Sequence, residues 1–216
     1  MYKRKIPAQF RASCGTLGPG RRFVAISVTV WPVLALYLII DHCQSATPIA
    51  VGMPSWVPFL PAFAVPYLGM LVVTWLLPVA IRDAGRFRAC VWAMVCAYLL
   101  VMPWWILTPT TLPRPPWPEG WLAGPYRWLA QIDPPNNVMP CAHGIGPVVA
   151  AWFAGRDRPT WRWPLAAMLV LGLPAIALVW QHRPFDIMLG TAAASIGIAF
   201  GEAFKRRKQP ACVLPF

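Results

Sequence analysis

The chain has 216 residues, 58% of them hydrophobic and only 12% charged, and its mean hydropathy is +0.53. A water-soluble domain of this length would carry about 25% charged residues, so lipid is the solvent this composition suits. The net charge of +12 would suggest nucleic acid on a soluble protein, but here the basic residues sit in short clusters between apolar runs, which excludes that partner.

A basic stretch with Lys3, Arg4, Lys5, Arg11, Arg21 and Arg22 precedes the first apolar run, Phe23 to Ile40. The run is longer than the apolar region of a cleaved signal peptide, and Asp41-His42-Cys43-Gln44 offers no small-residue cleavage site. It reads as an uncleaved anchor. Further runs cover Pro58–Ala80, Ala89–Thr108, Pro140–Ala154, Pro164–Trp180 and Ile187–Phe204. The fourth is shorter than the 17 residues or so that a span needs and must borrow from its flanks.

Six spans with an internal N-terminus put 16 of the 19 Lys and Arg on the cytoplasmic side, leaving Arg114, Arg127 and Arg183 outside. That split is what the positive-inside rule requires. The expected architecture is therefore an all-α, polytopic bundle of six transmembrane helices with both termini cytoplasmic. Residues 1–22 form a basic cytoplasmic N-terminal segment, 23–204 the six-helix membrane domain and 205–216 a basic cytoplasmic tail. Prolines such as Pro66, Pro147 and Pro174 fall inside spans, where neighbouring helices can satisfy the freed carbonyls. Gly197-x-x-x-Gly201 predicts close helix packing, within the chain rather than between copies. Trp104, Trp105, Trp161, Trp163 and Trp180 lie near span ends, as interfacial anchors do.

The six cysteines form no CxxC pair and no zinc-finger spacing. Cys90 and Cys96 read as small hydrophobes in an apolar run. Cys43 and Cys141 fall on one predicted side, where pairing is open to them.

Chemistry-bearing residues gather on the outer side. The loop from Pro109 to Met139 contains Arg114-Pro115 and Asp133, and runs on through Pro140-Cys141-Ala142-His143. The last outer loop reads Gln181-His182-Arg183-Pro184-Phe185-Asp186. Pro184 suits a first helical turn, which would put His182 and Asp186 on one helix face. A carboxylate on one imidazole nitrogen leaves the other free as nucleophile or base. His143 enters the fourth span, whose N-terminus offers N–H groups to an anion, and Arg114 could clasp phosphate with its fork. The set reads as phosphoryl transfer, with one His attacking, one protonating the leaving oxygen and an Arg holding the group.

These motifs resemble the type 2 phosphatidic acid phosphatase superfamily of lipid phosphatases and phosphotransferases, most nearly its branch of inositol phosphorylceramide synthases. That family carries Arg-Pro before span four, then Pro-Ser-x-His, then His-x-x-x-Asp before span six. Arg114-Pro115, Pro140-Cys141-Ala142-His143 and His182 through Asp186 match in turn. The resemblance implies that His182 is phosphorylated, Asp186 orients it and His143 is the acid. It also implies phosphate binding by Arg114, Cys141 and Ala142, a lipid phosphate or diphosphate substrate among membrane lipids, and no metal or other cofactor. The chain departs from the pattern at Cys141, where Ser is usual, and at Leu107, where Lys is usual. It also has Ala175-Ile176 in place of a Ser-Arg pair, and Arg183 is the candidate replacement for that charge. The departures keep a second reading open, a catalytically impaired member that binds lipid headgroups or acts as a scaffold. Zinc on His143, His182 and Asp186 is a third reading, and a transporter the last. The substrate lipid and oligomeric state are not encoded in these motifs.

Overall fold

The computed structural model describes residues 18–43, 49–116, 119–133 and 135–208. The basic cluster from Lys3 to Arg11 and the tail beyond Lys208 lie outside the described residues. Within them the chain is a mostly helical membrane protein, with helix over 77% of the described residues.

Six long helices form the bundle. These are α1 (Pro19–Cys43), α2 (Ala64–Ala80), α3 (Ala84–Leu107), α5 (Ala142–Asp157), α6 (Arg162–Leu178) and α7 (Pro184–Lys208). A short helix, α4 (Ala123–Ile132), lies in the long loop between α3 and α5. Two-residue strands, β1 (Ile49–Ala50) and β2 (Thr110–Thr111), pair in parallel and tie the loop after α1 to that long loop. Local signals set the boundaries. Asp83 caps α3 by accepting the Arg86 N–H at 2.6 Å, and prolines open α1 and α7 where a missing N–H costs nothing. Pro66 falls in the first turn of α2, while Pro147 and Pro174 sit within α5 and α6.

Five helical segments are long and apolar enough to cross a membrane: Pro19–Cys43, Pro61–Ala80, Ala84–Leu107, Pro159–Leu178 and Pro184–Arg207. The fourth expected span, α5, has only 16 residues. It is nevertheless the most enclosed helix, with buried residues on every side and α2, α3, α6 and α7 packed around it. Outward positions of the other helices carry Val72, Leu76, Leu99, Ile106, Val170, Leu171, Ile196 and Phe200, an apolar surface that water would penalise and lipid does not.

The closest packing is between α3 and α7. A Cβ on Gly197 would run into the Ala93 carbonyl, and one on Gly201 into the Ala89 carbonyl. The small-residue stripe therefore seats a helix of the same chain, as expected. Gly190 makes the same kind of approach to the Cys141 carbonyl, which brings the N-terminal ends of α5 and α7 together.

The helices alternate in direction. At one end Arg86 pairs with Asp157 at 3.4 Å, Lys205 with Asp83 at 3.6 Å and Arg156 with Glu202 at 3.7 Å. Asp157 also accepts the backbone N–H groups of Arg82 and Asp83, and Arg22 donates to the Val79 carbonyl. The basic loops thus meet at that end, and the histidine loops meet at the other. One of the expected interfacial tryptophans behaves differently from the rest. Trp104 and Trp163 are exposed, but Trp105 is fully buried and donates to the Pro140 carbonyl at 2.9 Å, pinning the entry to α5.

Candidate active site

The backbone builds this end of the bundle before any side chain acts. Helix α6 closes with two crossed bonds, Trp180 N–H to Ala177 O and Gln181 N–H to Ile176 O. This is a Schellman closure, and Trp180 occupies its left-handed position at φ 55°. Glycine is the usual occupant, and a bulky residue there costs on the order of 1–2 kcal/mol. The closure presents His182 to the interior and turns the Trp180 carbonyl toward Arg114, which donates to it at 3.0 Å. Arg114 also donates to the Asp133 carbonyl at 3.0 Å, so one guanidinium clamps the loops before α5 and α7.

The two histidines are in direct contact. His143 Nδ1 lies 2.9 Å from His182 Nε2, and His182 Nδ1 lies 2.6 Å from the Val138 carbonyl. A carbonyl accepts only, so His182 carries its proton on Nδ1 and its Nε2 holds a lone pair. His143 must then be the donor across the pair. Its far nitrogen, Nε2, is 3.8 Å from the Asp133 carboxylate, which is buried, accepts from the Tyr37 hydroxyl at 3.3 Å and lies 3.8 Å from Arg114. Tyr67 packs edge-on against His143 at 5.7 Å, with a buried hydroxyl that has no hydrogen-bond partner among the described residues.

All seven candidate site residues come to this end of the bundle, but their partners differ from expectation. Asp186 does not pair with His182. The helix starts at Pro184, so His182 precedes it and shares no helical face with Asp186. Asp186 is fully buried and reaches back to Arg183, accepting its backbone N–H at 2.9 Å and its guanidinium at 2.7 and 3.0 Å. The orienting acceptor for His182 is instead the Val138 carbonyl. Arg183, expected to replace a lost phosphate-binding charge, has its fork filled by Asp186. Cys141 is the buried N-cap of α5, with its N–H on the Asp186 carbonyl at 3.0 Å, and Ala142 is buried in the first turn. Cys43 and Cys141 are free thiols, the first exposed and the second buried, so they do not pair.

Asp133, Tyr37 and Tyr67 are the site neighbours that spacing did not identify. Asp133 stood in the right loop without a motif, and the tyrosines lie within apolar runs. A backbone carbonyl such as that of Val138 has no sequence signal at all.

Burial and the nearby His143 hold the His182 imidazole well below its usual value, with Arg114 and Arg183 pushing the same way. The free-base form is therefore kept available in mild acid. For any turnover that uses this nitrogen, the acid limb of the kcat/KM profile should fall well below pH 6.5. An unfolded chain takes up that proton near pH 6.5 while the folded chain does not, so stability should decline as pH falls from there toward the folded value. His182→Asn should flatten that decline in thermal unfolding. An acid limb centred at or above pH 6.5 would remove His182 from the chemistry.

Comparison with family models finds no match, and no curated protein matches the chain.

Proposed function

We propose that the protein is a metal-independent lipid phosphatase or phosphotransferase that works through a phosphohistidine. The observation that carries this reading is the histidine pair. His182 has its proton committed to Val138, which leaves Nε2 as a nucleophile 2.9 Å from a second imidazole. His182 Nε2 attacks phosphorus, the bond to the leaving oxygen breaks, and His143 gives that oxygen a proton. Water or an alcohol then attacks phosphorus, the P–N bond to His182 breaks, and the attacking oxygen's proton goes to His143, which gives hydrolysis or transfer. By the resemblance, Arg114 and the N-terminal turn of α5, with Cys141 and Ala142, are the groups assigned to the phosphate, which would have to displace the Trp180 and Asp133 carbonyls from the Arg114 guanidinium.

The same proposal includes six spans, with α5 as the fourth, both termini in the cytoplasm and the site on the periplasmic face of a bacterial inner membrane. The alternating helix directions and the basic residues gathered at the end opposite the histidines support it. In a Cys43→Ser background, a cysteine at exposed Glu119 should react with an impermeant maleimide in intact cells. Reaction only after lysis would reverse the topology.

Two observations favour the impaired-member reading: the Arg183 fork is filled by Asp186, and Cys141 offers a weak thiol donor where a hydroxyl would serve better. The purified protein in nanodiscs, given phosphatidic acid, a polyprenyl diphosphate and a phosphoinositide with ceramide as acceptor, separates the two. Release or transfer of phosphate from any of them supports the enzyme. Binding without turnover of all three supports the headgroup-binding scaffold.

A further inference from the structure

We propose that Cys141, His143 and His182 form a binding site for a thiophilic divalent ion, Zn2+ foremost, whose occupation shuts off the histidine pair. The shut-off rests on the phosphoryl-transfer reading; the binding does not.

The three donor atoms lie within 4.8 Å of one another, and they come from the N-terminal end of α5 and the loop before α7. Zinc bonds to sulfur at about 2.3 Å and to imidazole nitrogen at about 2.0–2.1 Å, so tetrahedral donors stand roughly 3.4–3.6 Å apart. The cluster needs a contraction of about 1 Å at its widest edge and an opening of about 0.5 Å between the two imidazole nitrogens, now 2.9 Å apart.

Three further features suit a metal. The His182 tautomer is already that of a ligand, since its proton sits on Nδ1 against the Val138 carbonyl and Nε2 faces the cluster. Zinc-bound imidazoles commonly donate their far N–H to a carbonyl or carboxylate, and His182 has such an acceptor in place, Val138 at 2.6 Å. For His143 the Asp133 carboxylate lies 3.8 Å from Nε2, an ion-pair distance that a small shift would turn into a hydrogen bond. The surrounding charge is balanced as well, because Arg114 stands against Asp133 and Arg183 against Asp186.

Asp186, a ligand in the zinc reading of the sequence, is excluded by its bonds to Arg183. Cys141 takes its place, which is chemistry a serine at this position would not supply.

Binding moves protons in a defined way. The thiol of Cys141 loses its proton to solvent. The proton between the histidines leaves His143 Nδ1, and His143 carries one on Nε2 instead, facing Asp133. Three protein donors then hold the ion, with a fourth position for water or an anion. Both nitrogens needed for phosphoryl transfer are coordinated, so the nucleophile and the acid are lost together.

The test uses the full-length protein in detergent, stripped of metal and titrated with Co2+ alone and then with Zn2+ in competition. One Co2+ per chain should bind, with a near-ultraviolet thiolate-to-cobalt band and visible bands of tetrahedral intensity, both erased by Zn2+. Cys141→Ser should lose the thiolate band, Cys43→Ser should keep it, and His182→Asn should weaken Co2+ binding at least tenfold. Absence of the band in the parent protein, or its loss in Cys43→Ser and persistence in Cys141→Ser, would overturn the site. On any lipid phosphate turned over, Zn2+ should inhibit, a chelator should reverse it, and Cys141→Ser should raise the inhibitory Zn2+ concentration at least tenfold. Stimulation by bound Zn2+ would overturn the shut-off. If the cobalt spectrum is as described and no lipid is turned over, the metal site stands and the enzymatic reading falls.

Discussion

Replacing His182 with alanine should abolish turnover of every lipid phosphate and leave no acid-labile phosphate on the protein. The loss should be on the order of 10^4-fold or more, since water at the empty position is neither aligned nor deprotonated. The expectation follows from the tautomer: with the His182 proton held by Val138 at 2.6 Å, Nε2 carries the lone pair of the histidine pair, and His143 donates to it. His143 has the complementary role, so His143→Ala should slow natural lipids far more than an activated ester such as p-nitrophenyl phosphate, whose leaving group needs no proton. Rapid quench with a phosphorus-labelled substrate measures both. A phosphoenzyme still trapped in His182→Ala would exchange the two roles. Unchanged turnover in both variants would leave the headgroup-binding reading in possession.

The second large effect is on folding. Asp186 is fully buried, and Arg183 supplies its bidentate partner as well as a backbone N–H. Arg183→Ala leaves a carboxylate buried without its countercharge, a loss of about 3–5 kcal/mol. The double variant Arg183→Ala with Asp186→Ala removes that orphan charge and should recover much of the loss. Thermal unfolding in detergent gives the ranking: parent, then double variant, then Arg183→Ala. A different outcome would restore the arrangement expected from spacing. If Arg183→Ala is as stable as the parent while Asp186→Asn alone stops turnover, the carboxylate serves His182.

That contrast marks where the sequence was legible. Hydropathy located the six apolar segments because lipid exposure acts on side chains residue by residue. It missed the helix ends, since those are set by hydrogen bonds and caps: α3 begins at Ala84, behind its Asp83 cap, and α7 runs on to Lys208. The order and sidedness of Arg114, His143 and His182 were readable, and they do converge. Their partners were not. A spacing of four suggests a helical pair only when both residues are helical, and His182 lies just ahead of the helix. The acceptor that orients it is a main-chain oxygen from a loop 44 residues away. Asp133 reaches His143 through the fold of the long loop, which no local pattern encodes. Trp105 was legible as aromatic but not as buried, because its role depends on the carbonyl of Pro140 lying opposite.

The shortness of α5 has a consequence for how a substrate would be met. Sixteen helical residues rise about 24 Å, against about 30 Å for the hydrocarbon layer. On the six-span reading proposed above, with Asp157 level with the basic loops at one boundary, Cys141 and His143 would stop about 6 Å short of the other. The histidine pair would then lie beneath the headgroup plane. A lipid would reach it by sinking its polar head a few ångströms, with its tails never leaving oil, and the chemistry would take place where charges attract more strongly than they do in water.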